Sequence, residues 1–102
     1  MNVALAQLSY IPGDIAYNSS KILSALEEAR RQGAELAVFS ELAVTGYPPL
    51  DLLLRSDIID SSMAAIREIA THCNGIAAIV GGPSPNTGEY GKNLHNSAFF
   101  LH

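Results

Sequence analysis

Residues 18–41 read NSSKILSALEEARRQGAELAVFSE, and this stretch decides the fold class. Its first half places apolar residues at helical spacing on one face and charged residues on the other. This pattern predicts an amphipathic helix with Asn18 or a neighbouring serine as its N-cap. Gly33 ends the helix as a C-cap, and residues 36–39, LAVF, are too few for a helix and predict a short buried strand. The helix and the strand form the second half of a β-α-β unit.

The same patterns predict the rest of the fold on either side of this unit. Further strands are expected at residues 3–8, 76–80 and 97–101, and a second amphipathic helix at residues 58–70. Gly81-Gly82-Pro83 is expected to close the third strand. The predicted order is therefore β-α-β-α-β-β. Strands that alternate with helices favour an α/β fold with a largely parallel sheet and right-handed crossovers.

Composition excludes several classes of protein. The chain has 102 residues, of which 48% are hydrophobic and 16% charged, with a formal net charge of -4. Such a balance favours a globular domain and argues against nucleic-acid and membrane partners. The single cysteine cannot form an internal disulfide, and no signal peptide precedes the first strand, so we expect a cytoplasmic protein.

The C-terminal end of the sequence predicts a truncated domain. Residues 98–101, AFFL, are apolar, and only His102 follows them. We therefore interpret residues 1–102 as the N-terminal part of a longer domain. An apolar strand without a partner favours association between chains, so a homo-oligomer is expected.

Several familiar site motifs do not fit the sequence. The turn after the first strand has one glycine rather than the G-x-G-x-x-G dinucleotide motif, and Gly91-Lys92 lacks the rest of a P-loop. No glycine pattern typical of a nucleophile elbow and no metal-ligand spacing is present, so no cofactor is expected to bind this segment. Cys73 is expected near the C-terminal end of the second helix, where the helix dipole disfavours a thiolate. We interpret it as a packed thiol.

Glu41 is the candidate catalytic residue. It follows a buried strand at the edge where open parallel sheets bind their ligands. Partial desolvation beside the apolar strand would raise its pKa toward the working range of a general base. The alternative is a structural glutamate that lies in water or pairs with Arg55.

Residues 39–55, FSELAVTGYPPLDLLLR, resemble the first catalytic motif of the nitrilase (carbon–nitrogen hydrolase) superfamily. Within this stretch, residues 45–55 are similar, more narrowly, to the glutaminase domain of the glutamine-dependent NAD⁺ synthetase family. VALAQL at residues 3–8 and NLHNSA at residues 93–98 extend the resemblance over essentially the whole chain. The sequence departs from the family at Ser40, where proline is usual, and at Leu50, where an acidic residue is usual.

The resemblance implies a four-layer α-β-β-α sandwich with a Glu-Lys-Cys triad. Glu41 matches the general base, and Tyr47 is expected to help shape the substrate pocket. The lysine and cysteine of the triad lie further along the chain in the family, and neither Lys92 nor Cys73 stands at their positions. The fragment alone is therefore expected to be inactive.

The resemblance also implies a substrate and partners for the parent enzyme. The parent would hydrolyse glutamine and pass ammonia to a synthetase domain of the same chain, which uses ATP and magnesium to make NAD⁺. Two alternatives remain open at this point: a fragment of a stand-alone amidase, and a non-catalytic α/β interaction module.

Overall fold

A computed structural model describes residues 1–41, 43–46, 56–85 and 94–102. Within these residues the chain forms four strands and two helices, and the predicted order β-α-β-α-β-β is confirmed. The elements are β1 (Val3–Leu5), α1 (Ile15–Arg31), β2 (Leu36–Val38), α2 (Ser56–Thr71), β3 (Ala77–Pro85) and β4 (Leu94–Leu101).

The strands form one sheet in the order β1-β2-β3-β4. β1, β2 and β3 are parallel, whereas β4 runs antiparallel to β3. β2 lies between its parallel neighbours, in register from Leu36 to Val38. The carboxyl ends of β1, β2 and β3 therefore lie along the same edge of the sheet, and the segment after β2 leaves from the middle of that edge.

Helix α1 begins three residues earlier than its apolar pattern predicted. Its N-cap is Asp14, whose side chain accepts a hydrogen bond from the backbone N–H of Tyr17. The prediction that Asn18 or a neighbouring serine caps the helix is wrong, because Asn18 lies inside the first turn and its side chain is fully buried. The helix ends as predicted: Gly33 follows it with φ +84°, the left-handed conformation that glycine adopts without strain.

The third strand is longer than the sequence predicted. β3 continues through Gly81-Gly82-Pro83 instead of ending there, because β4 pairs with it along its whole second half. β2 pairs only with the first three residues of β3. Pro83, which has no N–H to donate, is therefore tolerated where the strand has one described neighbour.

One face of the sheet carries the hydrophobic core. Both helices pack on this face, and their buried side chains meet alternate residues of the strands. The largest of the buried helix residues are Ile22, Leu26 and Ile69. Both connections run in the same direction along the sheet, and crossovers of the usual right hand in one direction put their helices on one side of it.

The opposite face of the sheet is apolar, and none of the described residues covers it. Leu5, Val38, Ile79 and Phe100 form one row across the four strands. Leu5 is 74% exposed and Phe100 is 61% exposed, whereas Ala37 and Ala78 on the helix-covered face are almost fully buried. The chain therefore contains one helix layer and one sheet layer, which together are half of an α-β-β-α sandwich. The exposed face of its sheet is the face that a second sheet would cover.

In the part of the chain that the structure describes, neither helix is long and apolar enough to cross a membrane.

Candidate active site

Glu41 lies at the carboxyl edge of the sheet, three residues beyond the end of the central parallel strand β2. Phe39 still belongs to the sheet by hydrogen bonding, because its N–H donates to the carbonyl of Ile79 at 2.9 Å. Ser40 and Glu41 are exposed, whereas the segment from Ala43 to Gly46 is buried. The chain thus turns out of the sheet, presents a carboxylate, and immediately returns to the protein interior.

The exposure of Glu41 differs from the expectation drawn from its sequence neighbours. Partial desolvation by the apolar strand was expected, but the side chain is exposed in this chain. The reason is that the apolar side chains of β2 lie on the two faces of the sheet, while Glu41 projects beyond its edge. The side chain of Glu41 therefore lies at the surface of the part of the chain that the structure describes.

The buried segment after Glu41 is held against the loop that joins β1 to α1. The N–H of Gly13 donates to the carbonyl of Thr45 at 2.8 Å. Gly46 has φ +82°, and a Cβ atom there would lie 2.8 Å from the Cα atom of Pro12. The two loops consequently approach so closely that only glycine fits at the contact.

Asn18 joins the same two loops with its side-chain amide. Its Oδ1 atom accepts from the N–H of Ile11 at 2.8 Å, and its Nδ2 atom donates to the carbonyls of Ile11 and Val44, both at 2.9 Å. The sequence prediction missed this role because asparagine near a helix start is typical of a cap. A signal was present, since Asn18 lies four residues before Ile22 and therefore on the buried face of the helix.

Tyr10 also contacts the segment that carries Glu41. Its hydroxyl is buried close to Ser40 but outside the geometry of a regular hydrogen bond. Burial raises the pKa of Tyr10, and the contact with Ser40 opposes that shift without cancelling it. The phenol therefore stays protonated at neutral pH.

Tyr47 and Arg55 lie outside the described residues, as do Leu50 and Lys92. Within the described ranges, no group of three or more His, Cys, Asp and Glu side chains is placed to hold a metal ion.

Cys73 follows the C-terminal end of α2, as the sequence predicted. Its thiol is half-buried and donates to the carbonyl of Ile69 at 3.6 Å. Burial raises the pKa of this thiol, which disfavours the nucleophilic thiolate. The structure gives Cys73 the environment of a packed thiol rather than that of an activated nucleophile.

We expect Cys73 to react slowly with iodoacetamide. Because its pKa is raised, less thiolate is present at any pH below that pKa, so alkylation near pH 8 should be slower than for an exposed cysteine. The measurement is the labelling rate of the peptide that contains Cys73, taken from the native protein and from the same protein in urea. If the native protein is labelled as fast as the protein in urea, Cys73 does not have the environment of a packed thiol.

Comparison with known proteins places these features in a family. The carbon-nitrogen hydrolase family matches residues 2–102. A glutamine-dependent NAD⁺ synthetase from Xylella fastidiosa is 42% identical over 102 residues, which cover 99% of this chain and 18% of that protein. The chain thus spans about a fifth of the length of this curated relative.

Solved structures give the same result for the fold. A glutamine-dependent NAD⁺ synthetase from Cytophaga hutchinsonii superimposes with a TM-score of 0.88 at 28% identity, covering 97% of this chain and 16% of that one. An amidase from Nesterenkonia sp. superimposes with a TM-score of 0.72 at 30% identity, covering 84% of this chain and 33% of that one. The α/β fold expected from the sequence is therefore confirmed as the nitrilase type.

Proposed function

Because the chain belongs to the carbon-nitrogen hydrolase family, we propose that residues 1–102 are the N-terminal part of a glutaminase domain in which Glu41 is the general base. The observation that carries the proposal is the similarity to glutamine-dependent NAD⁺ synthetases over nearly the whole chain, at 42% identity. The position of Glu41 supports it, since the carboxylate is exposed on an anchored segment at the ligand-binding edge of the sheet.

The proposed reaction follows from what a positioned carboxylate can do. Glu41 takes the proton of a cysteine thiol, and the resulting thiolate attacks the side-chain amide carbon of glutamine. The tetrahedral intermediate collapses, Glu41 returns the thiol proton to the amide nitrogen, the carbon–nitrogen bond breaks, and ammonia leaves. Water then hydrolyses the thioester to glutamate. In the proposal, the cysteine and an oxyanion-stabilising lysine come from chain beyond the 102 residues.

The ammonia would be used by a second domain of the parent protein. We propose an ATP- and magnesium-dependent synthetase domain that amidates nicotinate adenine dinucleotide to NAD⁺, in a cytoplasmic homo-oligomer. Glutamine and the synthetase domain are the partners that this assignment needs, and no nucleic-acid or membrane partner is proposed. Tyr47 remains a candidate for the wall of the glutamine pocket.

The stand-alone amidase is the weaker alternative. The amidase structure covers 84% of the chain at a TM-score of 0.72, against 97% at 0.88 for the synthetase structure. The two functions differ in the fate of the nitrogen. The full-length protein should transfer ¹⁵N from amide-labelled glutamine into the carboxamide of NAD⁺ when ATP and nicotinate adenine dinucleotide are supplied. Release of free ammonia without ATP-dependent incorporation would favour the amidase.

The 102-residue chain by itself should not hydrolyse glutamine. Its one cysteine is Cys73, which is half-buried at the end of α2 with a raised pKa, so Glu41 has no suitable thiol to activate. Ammonia release from glutamine should equal that of a buffer blank. The control is the same chain with Glu41→Ala, and release that this substitution abolishes would show that the chain is active alone.

A further inference from the structure

We propose that Asn18 is a positioning residue for Glu41: its buried amide fixes the backbone that follows the base, and thereby the place of the carboxylate at the edge of the sheet. The inference rests on the proposed function of Glu41. It assigns a role in catalysis to a residue of helix α1. In the hydrogen bonds described above, the side chain of this residue binds only backbone atoms of the two loops.

The first support is the burial of Asn18. The residue is 0% exposed, and the hydrogen bonds of its side-chain amide join the β1–α1 loop to the segment after Glu41. Its two atoms engage three backbone groups at 2.8–2.9 Å, so the donors and acceptors are matched. Loss of the amide would remove this donor from the buried carbonyl of Val44 and this acceptor from the part-buried N–H of Ile11, and proteins rarely leave such groups unpaired. The carbonyl of Ile11 would keep its bond from the N–H of Asp14.

The second support is that these three hydrogen bonds require an amide side chain at residue 18. The N–H of Ile11 can only donate, and the carbonyls of Ile11 and Val44 can only accept. The side chain at residue 18 must therefore present one acceptor and two donors, in the orientation that the structure assigns. A carboxylate of nearly the same shape keeps the acceptor but faces two carbonyl oxygens with negative charge.

The third support is the position of these bonds relative to Glu41. On one side, Phe39 is fixed to β3 through the carbonyl of Ile79. On the other side, Val44 is fixed by Asn18 and more weakly by its own N–H, which lies 3.4 Å from the carbonyl of Gly81. Glu41 lies between these two anchors. Without Asn18 the segment keeps the bond from Gly13 to Thr45 and the long bond from Val44 to Gly81, so the part that carries the base is loosened rather than released.

A displaced base should affect the chemical step more than substrate binding. A shift of about 1 Å in a reacting group can cost roughly 10²-fold in rate. In the full-length protein, Asn18→Asp should therefore lower kcat for glutamine-driven NAD⁺ synthesis by about 10- to 10²-fold, with a much smaller change in KM for glutamine. Synthesis from added ammonia should not change, because it does not use Glu41.

Leu26→Ala is the matched control for lost stability. Leu26 is buried on the same helix two turns further on, and its truncation loosens the core without removing a bond to the loop. Each variant is assayed well below its own melting temperature, with rates expressed per folded molecule. Asn18→Ser is the second test variant, since it removes the amide without burying a charge if Asn18→Asp prevents folding.

The outcomes separate the positioning role from the proposed function. A selective loss of glutamine-driven kcat in every Asn18 variant that folds, absent from Leu26→Ala, supports the inference. If either folded Asn18 variant keeps the glutamine-driven kcat of Leu26→Ala while Glu41→Gln abolishes it, Asn18 does not position the base and the function of Glu41 stands. If Glu41→Gln has no effect on the glutamine-driven rate, the proposed function fails and the inference fails with it.

Discussion

Glu41→Gln in the full-length protein should lower glutamine-driven NAD⁺ synthesis by about 10² to 10⁴-fold, the range typical for loss of a general base. Glutamine at this position keeps the size of the side chain and much of its hydrogen bonding, but an amide cannot accept the thiol proton. Because the residue is exposed at the edge of the sheet, the substitution places no new group in the core. The effect should therefore fall on catalysis and not on folding.

Two further measurements on the same variant test this assignment. Synthesis from added ammonia bypasses the glutaminase step and should survive nearly unchanged. The melting temperature should also stay close to that of the unsubstituted protein. A structural glutamate would give the reverse result, with a lowered melting temperature and near-normal glutaminase activity per molecule. Equal loss with both nitrogen sources, or little loss with either, would remove Glu41 from the mechanism.

The order of elements could be predicted because it depends on local periodicity. The apolar face of α1 and the glycine after it are visible in the sequence, and so is the short apolar run of β2. The place of Glu41 after this strand made it a candidate, and resemblance to a known motif then gave it a role. The structure places Glu41 at the predicted edge of the sheet. These features involve neighbours along the chain, which a sequence pattern records directly.

The remaining features depend on contacts between distant residues. Asn18 has the residue type of a helix cap, and the approach of Ile11 and of Val44, 26 residues away, gives it another role. Gly81-Gly82-Pro83 has the composition of a turn, yet pairing with β4 keeps it in the sheet. The exposure of Glu41 likewise reflects where the chain leaves the sheet rather than which residues precede it. Tertiary contacts decided each case against the local preference.

Among alanine substitutions at Gly33, Gly46 and Gly82, Gly46→Ala should be the most destabilising. Gly46 combines two costs, since its φ of +82° disfavours any residue with a Cβ atom and that atom would lie 2.8 Å from the Pro12 Cα atom. The left-handed conformation costs about 1–2 kcal/mol, and overpacking in a well-packed region adds about 1–3 kcal/mol. The expected loss is therefore about 2–5 kcal/mol in the free energy of unfolding.

Two other glycines separate these costs. Gly33 has almost the same φ, +84°, but open space around the added atom, so Gly33→Ala should show the conformational cost alone. Gly82 lies in β3, where the added atom would make ordinary contacts of 3.5 Å with Ser62 and 3.6 Å with Phe99, so Gly82→Ala should cost least. Thermal unfolding of the three variants in the full-length protein should rank Gly46→Ala below Gly33→Ala and Gly33→Ala below Gly82→Ala in melting temperature. If the Gly46→Ala variant is as stable as the Gly33→Ala variant, the two loops separate without cost. The close contact between the loops would then contribute nothing to the position of the segment after Glu41.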